Sequence, residues 1–422
     1  MLEALRNAFR IPDLRKKLMY TFALLAVARI GAFVPVPGVD AAALAQQLGV
    51  DGGNIFGFLD LFTGGALGRF TVFAMGVNPY ITASIIMQLL TVVVPHFEQL
   101  QKEGGEGRKK LAQYTRYGTV GLGVIQAFGI TMMARNWGVV PNPSVFNLAL
   151  IVVTLTAGTA FLMWLGEKIS ENGIGNGISM LIFVGIVARI PTGAINAVRA
   201  VGEGGINVFS LVVFGLLGVA VIAGIVMVQQ GQRRIPVQYA KRVVGRRMYG
   251  GQTTHIPLRV NQAGVIPVIF ASSVLTFPLT IAQFIPAFGV MERWIGYGSL
   301  GYNAIYALLV IFFTYFYTAV TFNPADVADN MKKNGGFIPG LRPGRPTTEY
   351  LDRVLTRITL PGAVFLATIA ILPFIVAGVT QIPQTFLYFG GTGLLIVVGV
   401  ALDTMKQIES HLLLRHYEGF LK

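Results

Sequence analysis

The sequence predicts an all-α polytopic membrane protein of ten spans. Three observations carry that reading. Of the 422 residues, 54% are hydrophobic and 12% charged, about half the charged fraction of an ordinary soluble domain. The charges sit in short loops, and between them lie about ten apolar stretches, most of them close to the ~20 residues that cross a bilayer. Glycine is abundant at 51 residues, which suits helices that approach closely inside lipid. So few charges cannot cover a soluble globule of this size, and lipid must cover the rest.

The first span is 18–36. Arg6, Arg10, Arg15, Lys16 and Lys17 precede it. It is longer than a signal core, contains Arg29 and ends in Pro35 and Pro37, so it reads as a helix that stays rather than a cleaved signal. Arg29 must find partners or snorkel; it is placed a few turns from the cytoplasmic end and given a structural role. The second span is broken. Residues 56–73 are Gly-rich and half-polar, and a proper span follows at 75–94. The stretch FTGGALGRFTVF at 62–73 is too polar to face lipid. On the residues alone it is either a half-helix folded into an internal cavity or an external loop. The remaining spans are 117–133, 145–165, 177–190, 208–228, 264–285, 302–322, 358–379 and 386–402. The fifth, 177–190, is short and needs its Gly-rich lead-in.

Lysine and arginine crowd the N-terminal segment, 96–116, 231–260, 323–357 and the tail, whereas the alternate connections balance Arg135, Arg189, Arg199 and Arg293 against Asp40, Asp51, Glu203 and Glu292. Both termini are therefore expected in the cytoplasm. The expected divisions are an amphipathic cytoplasmic helix at 1–18, an N-terminal half at 19–206, a C-terminal half at 207–403 and a tail at 404–422. Five spans per half is an odd number, so the halves must be inverted relative to one another, a plan common in transport proteins.

Several chemistries are excluded. Cysteine is absent, so thiolate nucleophiles and cysteine metal sites are out. His96, His255, His411 and His416 all lie in polar segments, and the spans offer no Asp, Glu, Lys or His for a proton relay. This argues against a secondary transporter of small solutes, the alternative function, though less against coupling through backbone carbonyls. Gly173 to Gly177 (GIGNG) lacks the spacing and the lysine of a phosphate loop and reads as a tight re-entry. Asp326 and Asp329, three apart, resemble the magnesium pair of an intramembrane transferase, a third reading. Asn323-Pro324 before them instead looks like a helix cap and first turn.

The most basic loop, 231–260, holds Arg233, Arg234, Lys241, Arg242, Arg246, Arg247 and Arg259 and no acid. Such loops fix topology; its length and lack of acids point further, to a docking site for an anionic partner. Tyr249-Gly250-Gly251-Gln252 suits a hairpin turn within it.

The runs TGGALGRFTVFAMGVNPYITASIIMQLL, GIGNGIS, RRIPVQYAKR, VNQAGVIPVIFASS, IPGLRPG and FGGTGLLIVVGVALDTMKQIE resemble the SecY family, the central subunit of the protein-conducting translocon, in its bacterial form. The likeness runs in family order over essentially the whole chain. It implies ten helices in two pseudo-symmetric inverted halves of five. The pore opens through the membrane and also sideways, between the second and third helices and the seventh and eighth. It assigns 56–73 as a re-entrant plug half-helix, with Phe62, Gly64, Gly65, Ala66 and Leu67 packing against a pore ring. The ring positions carried over are Val77, Ile81, Ile178, Ile182, Ile269 and Ile396, where Val77 departs from the usual isoleucine.

A short apolar ring dewets and so bars ions when no chain is present. Thr82, Gln88, Ser272 and Ser273 are placed at the lateral gate, where hydrogen bonds of about 0.6 kcal/mol each would hold the seam. The resemblance further implies no cofactor and no enzymatic activity, with energy from the SecA motor ATPase, the ribosome or the membrane potential. SecA and the ribosome, through ribosomal RNA, would dock on the basic loops, with Arg246, Arg247 and Arg342 at their tips. SecE and SecG would be small partner subunits. Signal peptides, nascent chains and membrane lipids complete the contacts, in a bacterial plasma membrane.

Overall fold

The computed structural model describes residues 9, 11–40, 43–44, 55–203, 207–239, 242–244, 247–249, 253–284, 296, 298–380 and 391–419. Helix α1 (Pro12–Gly31) begins with Pro12, where a missing N–H costs nothing, and runs without a break past residue 18. Helix α2 (Ile55–Thr63) is short. Turns occupy 64–77 after it, with Gly64 and Gly65 at φ +67° and +88°, a region strained for any residue bearing a Cβ. Helices α3 (Asn78–Val93) and α4 (Pro95–Lys102) meet at 97°. Val94 between them is extended, as the ring of Pro95 requires of its predecessor.

Helices α5 (Gly105–Asn136), α6 (Val145–Asn172), α7 (Gly177–Gly202) and α8 (Val208–Gln230) complete the first part of the chain. The side chains of Ser144, Asn176 and Asn207 cap α6, α7 and α8 by accepting from backbone N–H groups, which satisfies donors that the first turn leaves over. The second part contributes α9 (Ile266–Phe284), α10 (Leu300–Thr321), α11 (Pro324–Lys333), α12 (Arg345–Thr380) and α13 (Thr392–Gly419).

Among the described residues, six helical segments are long and apolar enough to cross a membrane, and the bent pair α3–α4 makes a seventh. The ten expected spans are thus not all visible as such. Arg15, Lys16, Lys17 and Arg29 keep α1 charged, α9 offers only a shorter apolar stretch, Ile266–Thr276, and the lead into α13 at 381–390 lies outside the described residues. The fifth span is not short. Helix α7 continues through Pro191 to Gly202, so Arg189 lies inside a helix rather than in a connection. One continuous apolar core links the first and second parts of the chain, from Ala28 to Val400, and α3 packs directly on α9.

The molecule is not purely helical. Strands β1 (Gln232–Tyr239) and β4 (Thr253–Arg259) form an antiparallel ribbon, continued by β2 (Arg242–Val244) and β3 (Arg247–Tyr249). The register of β2 on β3 pairs Val244 with Arg247; the turn expected at 249–252 falls on residues 250–252, which lie outside the described set. Strand β5 (Gly336–Phe337) adds to the other edge of β1. The two basic loops that look separate in sequence therefore share one sheet. They also share a small core in which Ile235, Val237 and Leu258 pack with Met331, Ile338, Leu351 and Leu355.

Candidate functional site

Helices α3, α7, α9 and α13 supply the apolar residues expected at a constriction. Ile396 is 0% exposed, Ile182 2%, Ile81 5%, Ile269 6% and Val77, which immediately precedes α3, 7%. All five belong to the central core. Ile178 is only partly buried, and its Cδ1 is turned onto Gly166 of α6. Branched aliphatic side chains carry no polar atom, so they neither hold water nor grip a polar chain.

Beside the collar lies the 55–77 segment. Gly64, Gly65, Ala66 and Leu67 are buried and Phe62 is half-buried. Phe62 and Leu67 line a cavity of ≈ 120 Å³ together with Ile81 and Ile269. A second small cavity brings Phe62 and Thr63 to Val77, Ile182 and Gly185. The backbone of the segment passes so close to α7 that a methyl on Gly185 would stand 2.7 Å from the Phe62 carbonyl oxygen. Its return strand is pinned: Val36 N–H donates to Phe70 O at 3.0 Å and Val72 N–H to Val34 O at 2.9 Å. Of the two readings open on the residues alone, the packed internal segment is the one observed.

Four charged side chains hold this segment. Asp60 on α2 is 1% exposed and forms an ion pair with Arg189 of α7. Its Oδ1 also accepts from Gly68 N–H at 2.7 Å. Arg29 donates to Gly64 O at 3.1 Å. Arg69 donates to Gly65 O at 2.9 Å and Gly64 O at 3.3 Å. Both guanidiniums lie over the ring of Phe33, Arg69 at 4.2 Å from its centroid. Arg29 therefore has the structural role expected of it, but from the last turn of α1, the end away from the N-terminal charges and not the one nearer them.

Thr82, Ser272 and Ser273 line the ≈ 120 Å³ cavity between α3 and α9, with Asn78 and Thr276 as further polar neighbours. Their expected cross-seam hydrogen bonds are not what the geometry shows. Thr82 donates to Asn78 O at 3.1 Å and Ser272 to Ile269 O at 2.8 Å, each within its own helix. Gln88 lies away from the cavity lining. Its Nε2 donates to Ser84 at 3.4 Å, and its buried Oε1 meets no donor among the described residues. A hydroxyl in a low-dielectric helix finds its own i−4 or i−3 carbonyl more cheaply than one on a neighbour, so the seam is closed by apolar packing.

On the extramembrane sheet, Arg233 and Arg234 are exposed on β1, and Arg342 is exposed just before α12. Arg242 and Arg247 lie on β2 and β3, while Lys241 and Arg246 fall outside the described residues. Asn323 caps α11 by accepting from Ala325 N–H at 3.1 Å, and its amide donates to Asp326 at 2.9 Å, so that carboxylate serves the helix start as expected.

Sequence reasoning missed Asp60, Arg69 and Arg189. The signal was present: Asp60 is a lone acid within IFGFLDLFT, and an ionisable residue in an apolar run is a functional hypothesis in itself.

A family model described as SecY matches residues 71–405. The protein translocase subunit SecY of Halalkalibacterium halodurans is 52% identical over 435 aligned positions, covering all of both chains. A solved protein-conducting channel superposes with a TM-score of 0.66 at 19% identity, over 93% of this chain and 91% of that one. Sec61 in a canine ribosome–channel complex from the endoplasmic reticulum gives 0.61 at 19% identity, over 93% and 91%. At that identity the two structures show a shared fold.

Proposed function

The chain belongs to the SecY family, and from that premise we propose that it is a protein-conducting channel that passes unfolded polypeptides across a membrane and releases apolar segments sideways into lipid. The observation that carries this reading is the shared cavity of Phe62 and Leu67 with Ile81 and Ile269: a folded segment packs directly on an apolar collar made by separate helices. In this reading Val77, Ile81, Ile182, Ile269 and Ile396 form the constriction, Ile178 backs it from the α6 side, and 55–73 is the plug. The resting pore excludes ions by dewetting and by the plug that covers it.

The same cavity opens the sideways route. Helices α3 and α9 meet through it, and the hydroxyls of Thr82 and Ser272 bond within their own helices, so parting the helices breaks no hydrogen bond between those two. Each Leu, Ile, Phe or Val at the centre of a translocating segment gains about 0.3–0.6 kcal/mol on entering lipid, whereas a charge there costs about 2.5–3.5. An apolar segment therefore leaves by this seam and a polar one continues through the collar.

Ten helices in two inverted halves, with both termini in the cytoplasm of a bacterium, are the arrangement we assign. The sheet that joins the basic loops then faces the cytoplasm. Its exposed arginines suit phosphate and carboxylate partners alike, because a guanidinium forks onto both. The ribosome and the SecA motor are the partners that fit, with SecE and SecG as membrane subunits. The chain does no chemistry of its own; the driving energy comes from those partners or from the membrane potential.

Site-specific crosslinking tests the pathway. A stalled secretory chain should crosslink to photoreactive groups at positions 81, 182 and 269, and not to one at position 219 on the exposed side of α8. Equal crosslinking at all four positions, or none at the first three, would refute the path.

A further inference from the structure

Along α7, residues 182, 185, 186 and 189 form one stripe, because side chains three and four apart share a helix face. Ile182 belongs to the collar, Gly185 admits the backbone of Phe62, Ile186 is buried, and Arg189 holds Asp60. One face of one helix therefore serves both the constriction and the segment that covers it.

We infer that Asp60 and Arg189 are positioning residues that act as a reversible charge latch, seating the plug on α7 in the resting channel. The inference rests on reading 55–73 as the plug. Of the four charged groups at this place, Asp60 and Arg69 travel with the plug, whereas Arg29 and Arg189 belong to the walls, on α1 and α7. Toward the plug, Arg29 donates to a neutral carbonyl, Gly64 O. Among the described residues of this segment, Asp60 with Arg189 makes a charge-to-charge tie between plug and wall. Asp60 bridges inward as well, through Gly68 N–H at 2.7 Å. One carboxylate thus closes the plug's own turn and fastens it to the wall.

The chemistry suits a latch better than a permanent weld. A carboxylate as buried as Asp60 persists in its charged form only with a partner at hand, so the seated plug is held firmly. The Arg189 side chain is 28% exposed, so the chain encloses it only in part. Once the plug leaves, both ions hydrate, and an exposed pair is worth little. An apolar contact in the same place would have to bare its surface to water on every opening. The pair therefore resists displacement at rest and offers little resistance to staying open.

The test uses the full-length chain in its membrane with its partner subunits retained. The chain contains no cysteine, so Leu67→Cys introduces a lone thiol at a plug position that is 4% exposed. Its labelling rate by a membrane-impermeant maleimide, added from the side opposite the N-terminus, reports plug displacement, and resting ion leak is measured separately without the cysteine. Asp60→Asn keeps a carbonyl oxygen for Gly68 N–H and removes only the charge.

Asp60→Asn and Arg189→Gln should each speed labelling by about tenfold or more, the equivalent of about 1.4 kcal/mol. The double variant should do no more than either single, since both singles break the same tie. Unchanged labelling in the singles, or fully additive effects in the double, overturns the latch. A chain lacking 57–67 separates the two levels: if it leaks while the singles stay tight, the plug stands and the latch falls; if it too stays tight, the plug reading falls and the latch with it. Variant levels in the membrane, matched to the parent, exclude misfolding as the cause.

Discussion

Gly185→Ala gives the sharpest test of how closely the plug seats. Helix α7 passes the plug with no side chain between them. A Cβ at residue 185 would lie 2.7 Å from Phe62 O, 3.3 Å from Gly64 N and 3.4 Å from the Phe62 carbonyl carbon. All three are backbone atoms, so no rotamer change relieves the overlap. Either the plug or α7 has to move. Adding a methyl to a well-packed site costs about 1–3 kcal/mol.

That cost falls on the seated state alone, because an unseated plug leaves the space empty. At 1.4 kcal/mol per decade the unseated fraction rises by about 5- to 150-fold. Resting conductance of the channel in planar bilayers should rise in that proportion, and the thiol of Leu67→Cys should label faster by the same factor. Gly121→Ala on α5 is the control, since a Cβ there meets nothing within 4 Å; it should change neither quantity. An unchanged conductance in Gly185→Ala, with normal membrane levels, would show that the plug does not rest against α7.

Three further outcomes are expected. Replacing Ile182 and Ile269 together by asparagine should raise resting ion leak, read as membrane conductance, because an amide wets a ring that dewets as isoleucine; leak equal to that of the parent would remove the collar from its role. Arg342→Glu should abolish motor-driven secretion in inverted vesicles while the protein still accumulates and folds, since the side chain is exposed and only its backbone carbonyl is engaged, by Thr347 at 2.9 Å; normal secretion would refute the docking assignment. Asn323→Ala should destabilise the start of α11 by about 1 kcal/mol, seen as faster hydrogen exchange over 324–333, and secretion driven through the neighbouring sheet should weaken; unchanged exchange would mean the cap carries nothing.

Most of the helices were legible because each reports its own solvent. A stretch such as 208–228 is apolar on every side, and α8 (Val208–Gln230) is recovered almost to the residue. The cap at Asn323 was legible for the same reason: it satisfies a donor two residues away. The errors lie where a local rule was outweighed. Sequence alone draws the fifth span as 177–190 and counts Arg189 in a connection, yet α7 runs on to Gly202 and Arg189 meets Asp60 from within it. The hydroxyls of Thr82 and Ser272 looked like glue between helices and are spent inside them.

The sequence by itself determined that this chain lives in lipid and that two of its loops are strongly basic, since hydropathy and charge act over a few residues. Its six family runs also nominated the proposed collar positions, although nothing local distinguishes Ile182 or Ile396 from any other core isoleucine. Only the tertiary structure decided that Ile81 and Ile269 share a cavity with Phe62 and Leu67, that Ile178 turns to Gly166, that the two basic loops share a sheet, and that Asp60 meets Arg189. Those facts depend on contacts between distant segments, and a close approach such as Phe62 on Gly185 is settled by fractions of an ångström of packing that no local pattern records.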